Sequence, residues 1–144
     1  MKITNHINSP KKFNVEELIE HLSTVLQISS KAELTITYND KLLNQLSKGE
    51  IEYSALLQNP IPNQYILFVK SNVSGLQSII CHEMVHLQQY DSGKLKMSAD
   101  CKTIWWNGEK FDATSDYSKR EWEVEAFSLQ NKLWRSFKKF KKNK

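Results

Sequence analysis

The sequence predicts an α+β domain: an N-terminal helix, a small and mostly antiparallel sheet, a helix carrying His82-Glu83-Met84-Val85-His86, and a C-terminal helix with three glutamates. Three observations predict it. Apolar residues recur at helical spacing in separated stretches, strand-like alternation fills the intervals between them, and 144 residues suffice for one hydrophobic core but not for two.

Each element follows from local chemistry. Between Asn14 and Gln27, Val15, Leu18, Ile19, Leu22, Val25 and Leu26 form an apolar stripe, with Asn14 placed as cap and Glu16 and Glu17 in the first turn. Glu33 to Tyr38 alternates in the manner of a strand, and Asn39-Asp40 signals a turn. Lys41 to Ser47 reads as a short helix ended near Gly49. Ile51 to Gln58 and Gln64 to Lys70 are two further strands, joined by the Pro-rich stretch Asn59 to Asn63, which is short enough to favour antiparallel pairing. The His82 helix runs from about Leu76 to Tyr90, with Ser74 as its cap, and stops at Asp91-Ser92-Gly93, where Gly93 can adopt the left-handed conformation. Thr103 to Trp106 and Glu109 to Phe111 flank Asn107-Gly108, a strong hairpin signal. Trp105 and Trp106 point to opposite faces of that strand, one toward a core. Lys119 to Lys138 forms the last helix.

Composition bounds the functional class. An apolar share of 40% and a charged share of 25% are ordinary for a soluble globular protein. No run approaches the roughly 20 apolar residues of a membrane span, and Met1 to Phe13 lacks the apolar segment of an export signal. Two cysteines, Cys81 and Cys101, make no disulfide framework, so a reducing, cytoplasmic setting is expected. The net charge of +4 gathers in Arg135, Lys138, Lys139, Lys141, Lys142 and Lys144. Such a basic tail, from about residue 135 to 144, can contact nucleic acid. Without an aromatic or Gly-rich nucleic-acid motif beside it, the expected reading is a solvated helix end whose cations suit the helix dipole.

The chemistry lies in H-E-x-x-H. On a helix, residues four apart share a face, so His82 and His86 can aim ring nitrogens at one point. Zn²⁺ accepts imidazole nitrogen, and a catalytic site adds a third protein ligand and leaves a position open to water. Glu83 lies to one side, placed to take a proton from that water rather than to bind metal. The competing reading is a buried structural histidine pair, which would need polar partners of its own. Cys81 is rotated about 100° from His82 and reads as a small buried residue rather than a further metal group.

A third ligand is sought among Glu121, Glu123 and Glu125. On a helical wheel Trp122, Ala126, Leu129, Leu133 and Phe137 form one stripe, which Phe127 and Trp134 broaden. Glu123 falls inside that apolar sector, where a carboxylate is costly unless paired or metal-bound. It is the first choice, with Glu125 second; an ion pair of Glu123 with Arg120 or Lys119 is the alternative.

H-E-M-V-H followed by a glutamate helix resembles the gluzincin class of zinc metallopeptidases. Glu123 with Ala126, an E-x-x-A pattern, is similar to the glutamate helices of compact members, the minigluzincins and the ImmA/IrrE-type peptidases. The order of elements also resembles the zincin core, over about Gln64 to Leu133. The resemblance implies endopeptidase activity on a protein or peptide substrate, with His82, His86 and Glu123 as zinc ligands and Glu83 as base. The substrate would lie along the sheet edge, at the Tyr65 to Lys70 strand or its neighbour. Larger gluzincins use a second domain to stabilise the oxyanion, which 144 residues cannot hold. Tyr117 is the local substitute, with helix capping or core packing as its alternative role. The metzincin extension is absent, because Ser92 stands where its third histidine would be. Two rival readings are a zincin-fold binding or regulatory module, inactive or latent with its groove covered by the C-terminal segment, and a DNA-associated SprT-like protease.

Overall fold

The structure, a computed structural model, describes residues 1–47, 52–100, 102–112 and 120–143. Among them are four helices and two small sheets, an α+β arrangement. In chain order they are β1 (Lys2–Asn5), α1 (Val15–Val25), β2 (Glu33–Tyr38), α2 (Asp40–Leu46), β3 (Ala55–Ile61), β4 (Gln64–Val69), α3 (Leu76–Asp91), β5 (Leu95–Met97), β6 (Thr103–Trp106), β7 (Glu109–Asp112) and α4 (Glu121–Lys142). No helix among the described residues is long and apolar enough to cross a membrane. Gly49 and Ile51, expected to end a helix and to begin a strand, lie outside the described residues.

The first sheet has the order β1-β2-β4-β3. It corrects the expectation of a mostly antiparallel sheet. β1 pairs with β2 and β2 with β4 in parallel, and β3 alone runs antiparallel, to β4. The parallel pairs arise because whole helices, α1 and α2, lie between the strands in sequence, as parallel crossovers require. β4 is therefore interior, and β3 is the free edge on its side. The Asn59–Asn63 connection is tighter than expected: β3 continues through Pro60 to Ile61, with a register shift after Gln58, and Asn63 turns the chain at φ +68°. Pro60 is tolerated there because an edge strand can do without one ladder donor.

Alternation buries Leu34 and Ile36 of β2 and Tyr65, Leu67 and Val69 of β4. These pack with Val15, Leu18, Ile19 and Leu22 of α1 and with Ile80, Met84, Val85 and Leu87 of α3 in one core. The Asn14 side chain caps α1 by accepting from the Glu17 amide at 3.0 Å. Val25, expected in the α1 stripe, is exposed at the helix end.

α3 is held at both ends. Its cap is Gly75, in the left-handed region at φ +71°, rather than Ser74. The preceding turn is fixed by Asp40 at the start of α2, which accepts from the Ser71 amide at 2.7 Å and from the Ser71 hydroxyl. At the far end Asp91 accepts from the Ser29 amide at 2.9 Å, and Gly93 turns left-handed at φ +81°, as expected. The second sheet, β5-β6-β7, is antiparallel and includes the hairpin at Asn107-Gly108. Its Trp106 is the buried tryptophan of the pair and forms a second small core with Leu95, Ile104 and Trp122. That core seats the first turn of α4, which packs lengthwise against α3.

Candidate metal centre

Three side chains from α3 and α4 converge. The Nε2 atoms of His82 and His86 each lie 2.9 Å from Oε1 of Glu123 and 3.2 Å from one another. All three residues are buried, Glu123 to 4% exposure. The group could hold a metal ion. A tetrahedral site with bonds of about 2.0–2.1 Å has ligand–ligand edges of about 3.3 Å. The observed triangle is a slightly contracted form of one face of that tetrahedron.

The donor chemistry tests the fit independently of the distances. Nδ1 of His86 lies 2.8 Å from Oε1 of Gln89, and Nδ1 of His82 lies 2.9 Å from Oε1 of Gln130. The orientation of Gln89 is set elsewhere, because its Nε2 donates to the Trp122 carbonyl at 3.0 Å and to Glu125 at 3.1 Å. Its oxygen must therefore accept, and His86 must donate from Nδ1. This leaves the Nε2 of a neutral His86 as a bare acceptor. With Gln130 doing the same for His82, two imidazole lone pairs and a carboxylate oxygen meet at one point. Three acceptors at such separations repel unless a cation or a proton lies between them.

The three glutamates of α4 are thereby sorted. Glu121 accepts from Trp106 Nε1 at 2.7 Å and ties α4 to the second sheet. Glu123 faces the histidines, and half-buried Glu125 takes the Gln89 amide. Trp122 fixes this phase of the helix, packing at 6.1 Å from Trp106 and 5.5 Å from Phe111, with the Arg120 guanidinium 5.7 Å from its ring. Ala126 is fully buried, a small side chain where α4 crosses α3.

Electrostatics follows from burial and pairing. Burial alone would raise the Glu123 carboxyl, but hydrogen bonds with His82 and His86, and their charges, bring it down to about 2. For His86, burial opposes protonation, yet the Glu123 hydrogen bond, the charges of Glu83 and Glu123, and Gln89 raise it to about 9. Glu83 is pushed above the usual carboxyl range by burial, with His86 and His82 pulling the other way and Glu123 adding to the rise.

Half-buried Glu83 lines a cleft of ≈ 320 Å³ together with His82. The other walls are Glu52, Tyr53, Ser54 and Ala55 before and at the start of β3, Ser78 and Ile79 of α3, and Phe127 and Gln130 of α4. The cleft thus borders the free β3 edge, not the interior strand β4. Phe127, expected to broaden the buried stripe, is instead 53% exposed, its ring 4.5 Å from that of His82. Tyr117 lies outside the described residues, as do Cys101 and Lys119. Cys81 is a free, fully buried thiol pushed up to about 12 by burial, and it is not among the convergent ligands.

The C-terminal part of α4 packs along α1. Lys141 pairs with Glu17, Ser136 bonds His21 at 2.9 Å, and the Phe137 and Phe140 rings lie 5.6 and 4.9 Å from that of His21. Among the described residues none beyond Gln130 lines the cleft.

Sequence reasoning missed Gln89 and Gln130. The only signal was spacing: Gln89 stands three residues after His86 on the same helix, and Gln130 two turns after Glu123. Comparison of the chain with protein-family models, with curated proteins and with solved structures gives no match, so the functional reading rests on its own residues.

Proposed function

We propose that the chain is a zinc-dependent metallopeptidase with a gluzincin-like, zincin-type core, using His82, His86 and Glu123 as ligands and Glu83 as general base. The observation that carries this is the meeting of three acceptor atoms on the flank of a cleft that also contains the Glu83 carboxylate. Two imidazole nitrogens and one carboxylate oxygen suit zinc, and three protein ligands leave one coordination position for chemistry. Bound there, zinc supplies Lewis acidity toward water and toward a peptide carbonyl oxygen.

The chain's own groups supply the rest. Glu83 takes a proton from the attacking water and passes it to the leaving amine nitrogen. Gln89 and Gln130 hold the two imidazoles in the tautomer that presents Nε2. The β3 edge holds an extended peptide: Ser54 turns its carbonyl to Lys70, so Ala55 and Leu57, next in alternation, direct backbone groups outward. A reducing, cytoplasmic setting belongs to the same proposal, in keeping with the free thiol of Cys81.

The test is hydrolysis of a mixed peptide library by zinc-loaded protein, with Glu83→Gln as control. The variant should keep its zinc and lose about 10²- to 10⁴-fold in rate. Full activity in Glu83→Gln would remove the assigned base. A zinc-loaded wild type that cleaves nothing would favour a non-hydrolytic binding module.

A further inference from the structure

After Glu125 the chain carries seven of its 20 Lys and Arg and none of its 16 Asp and Glu, so its net charge of +4 comes entirely from that end. Lys132, Arg135, Lys139 and Lys142 of α4 are all exposed. Their spacings of three and four residues set them in one stripe about 15 Å long, turned away from buried Leu133 and Phe137. Lys138 flanks the stripe, its Nζ 5.9 Å from the Trp134 ring. Phe13 packs on that same ring at 5.4 Å, which brings exposed Lys11 and Lys12 to the flank as well. Of the α4 cations only Lys141 has an acidic partner among the described residues, Glu17 of α1.

Such a stripe is costly to the free helix. Like charges three and four residues apart repel, and the helix dipole favours cations only in the last turn, where Lys139, Lys141 and Lys142 lie, not at Lys132 or Arg135. We infer that the stripe of Lys132, Arg135, Lys139 and Lys142 is a docking surface for the phosphate backbone of double-stranded nucleic acid, bound without regard to base sequence. Over about 15 Å a duplex presents about nine negative charges, which relieve the repulsion along the stripe and release counterions. An anionic membrane needs apolar side chains to bury beside the cations, but Leu133 and Phe137 are spent on the core and the Phe140 ring lies 4.9 Å from that of His21. A protein interface needs an aromatic or aliphatic anchor, and the stripe holds none. Single strands bind through exposed rings on which bases stack, whereas Trp134 is half-buried beneath Lys138. No residue of the stripe lines the cleft, so binding here neither requires nor tests zinc.

The test titrates the full chain into two fluorescent DNA duplexes of unrelated sequence, at about 50 and about 200 mM salt, and into poly-glutamate and anionic phospholipid vesicles. Wild type should bind both duplexes alike and lose about a hundredfold in affinity across that salt range, as about four phosphate contacts require. The combined variant Lys132→Gln, Arg135→Gln, Lys139→Gln and Lys142→Gln should lose about tenfold or more at the lower salt. Exposed Lys31, Lys41, Lys94 and Lys110, neutralised together in the same way, give an equal change in net charge and should cost less than about threefold. Arg135→Gln and Lys139→Gln, made singly, should each lower the salt slope by about one, which reads the stripe without the combined variant. Overturning results are no duplex binding at the lower salt, an equal loss in both combined variants, unchanged slopes in the single variants, or binding to poly-glutamate or vesicles as tight as to the duplexes.

Discussion

Gln89 locks His86 from behind. Its oxygen accepts the His86 Nδ1–H at 2.8 Å while its nitrogen is spent on the Trp122 carbonyl at 3.0 Å and on Glu125. One fully buried amide thus joins both helices and fixes which ring nitrogen faces Glu123. Replacing it by leucine leaves the buried His86 Nδ1–H without its acceptor and removes the bond that ties α3 to the Trp122 carbonyl of α4. Gln89→Leu should weaken metal binding by about 10- to 100-fold, read by competition with a coloured chelator. Unchanged affinity would show that the hydrogen bond does not orient the ligand.

Gln130 makes the equivalent contact to His82 at 2.9 Å, but it is half-buried and lines the cleft. Water can replace its oxygen there, at little cost in free energy. Gln130→Ala should therefore lose less metal affinity than Gln89→Leu, by about threefold or more in the same competition assay. A larger loss in Gln130→Ala would contradict this ordering.

The pH dependence should reverse sign when metal is bound. In metal-free protein His86 is raised from 6.5 to about 9, so its contribution to stability is complete below 6.5 and is lost as pH climbs toward 9. Glu123 is lowered from 4.5 to about 2, so its contribution is present above 4.5 and is lost as pH falls toward 2. The metal competes with the His86 proton, so metal affinity, and with it the stability of the loaded form, should rise over the interval in which the metal-free form weakens. Urea midpoints at pH 6.5 and 9, with and without chelator, check this. Parallel trends in the two forms would contradict it.

Cys81 should be inert in the native state. Its thiol is fully buried and pushed up to about 12, so little thiolate forms at pH 8. In a Cys101→Ser background, a thiol reagent should label the urea-unfolded chain promptly and the folded chain slowly. Prompt labelling of the folded chain would place Cys81 nearer solvent than its packing in α3 allows.

Much of this was legible in the sequence because period and position carried it. The stripe of Val15, Leu18, Ile19 and Leu22 and the alternation in β2 and β4 report burial directly, and Asn107-Gly108 reports the left-handed turn that it makes, at φ +50° and +82°. Glu123 was legible for the same reason, as a carboxylate phased with apolar neighbours. β1 was missed because its four residues, Lys2 to Asn5, alternate only between exposed and half-buried. Without β1 one of the two parallel pairs could not be seen; the other joins β2 to β4, which α2 and β3 separate in the chain. β5 is three residues long and gains its identity from pairing with β6. Phe127 was misplaced because the wheel gives direction but not what fills it: the ring meets His82 of α3 and is otherwise left over the cleft. The glutamines carried no signal beyond spacing, since an amide is as common on a solvated helix face as behind a ligand.

Metal content per chain tests the central claim most directly. Wild type, Glu123→Ala and Glu125→Ala are loaded with zinc, passed through a desalting column and assayed for metal. The geometry predicts about one zinc in wild type, retention in Glu125→Ala and loss in Glu123→Ala. No zinc in wild type, or equal retention in Glu123→Ala, would contradict a centre built from His82, His86 and Glu123.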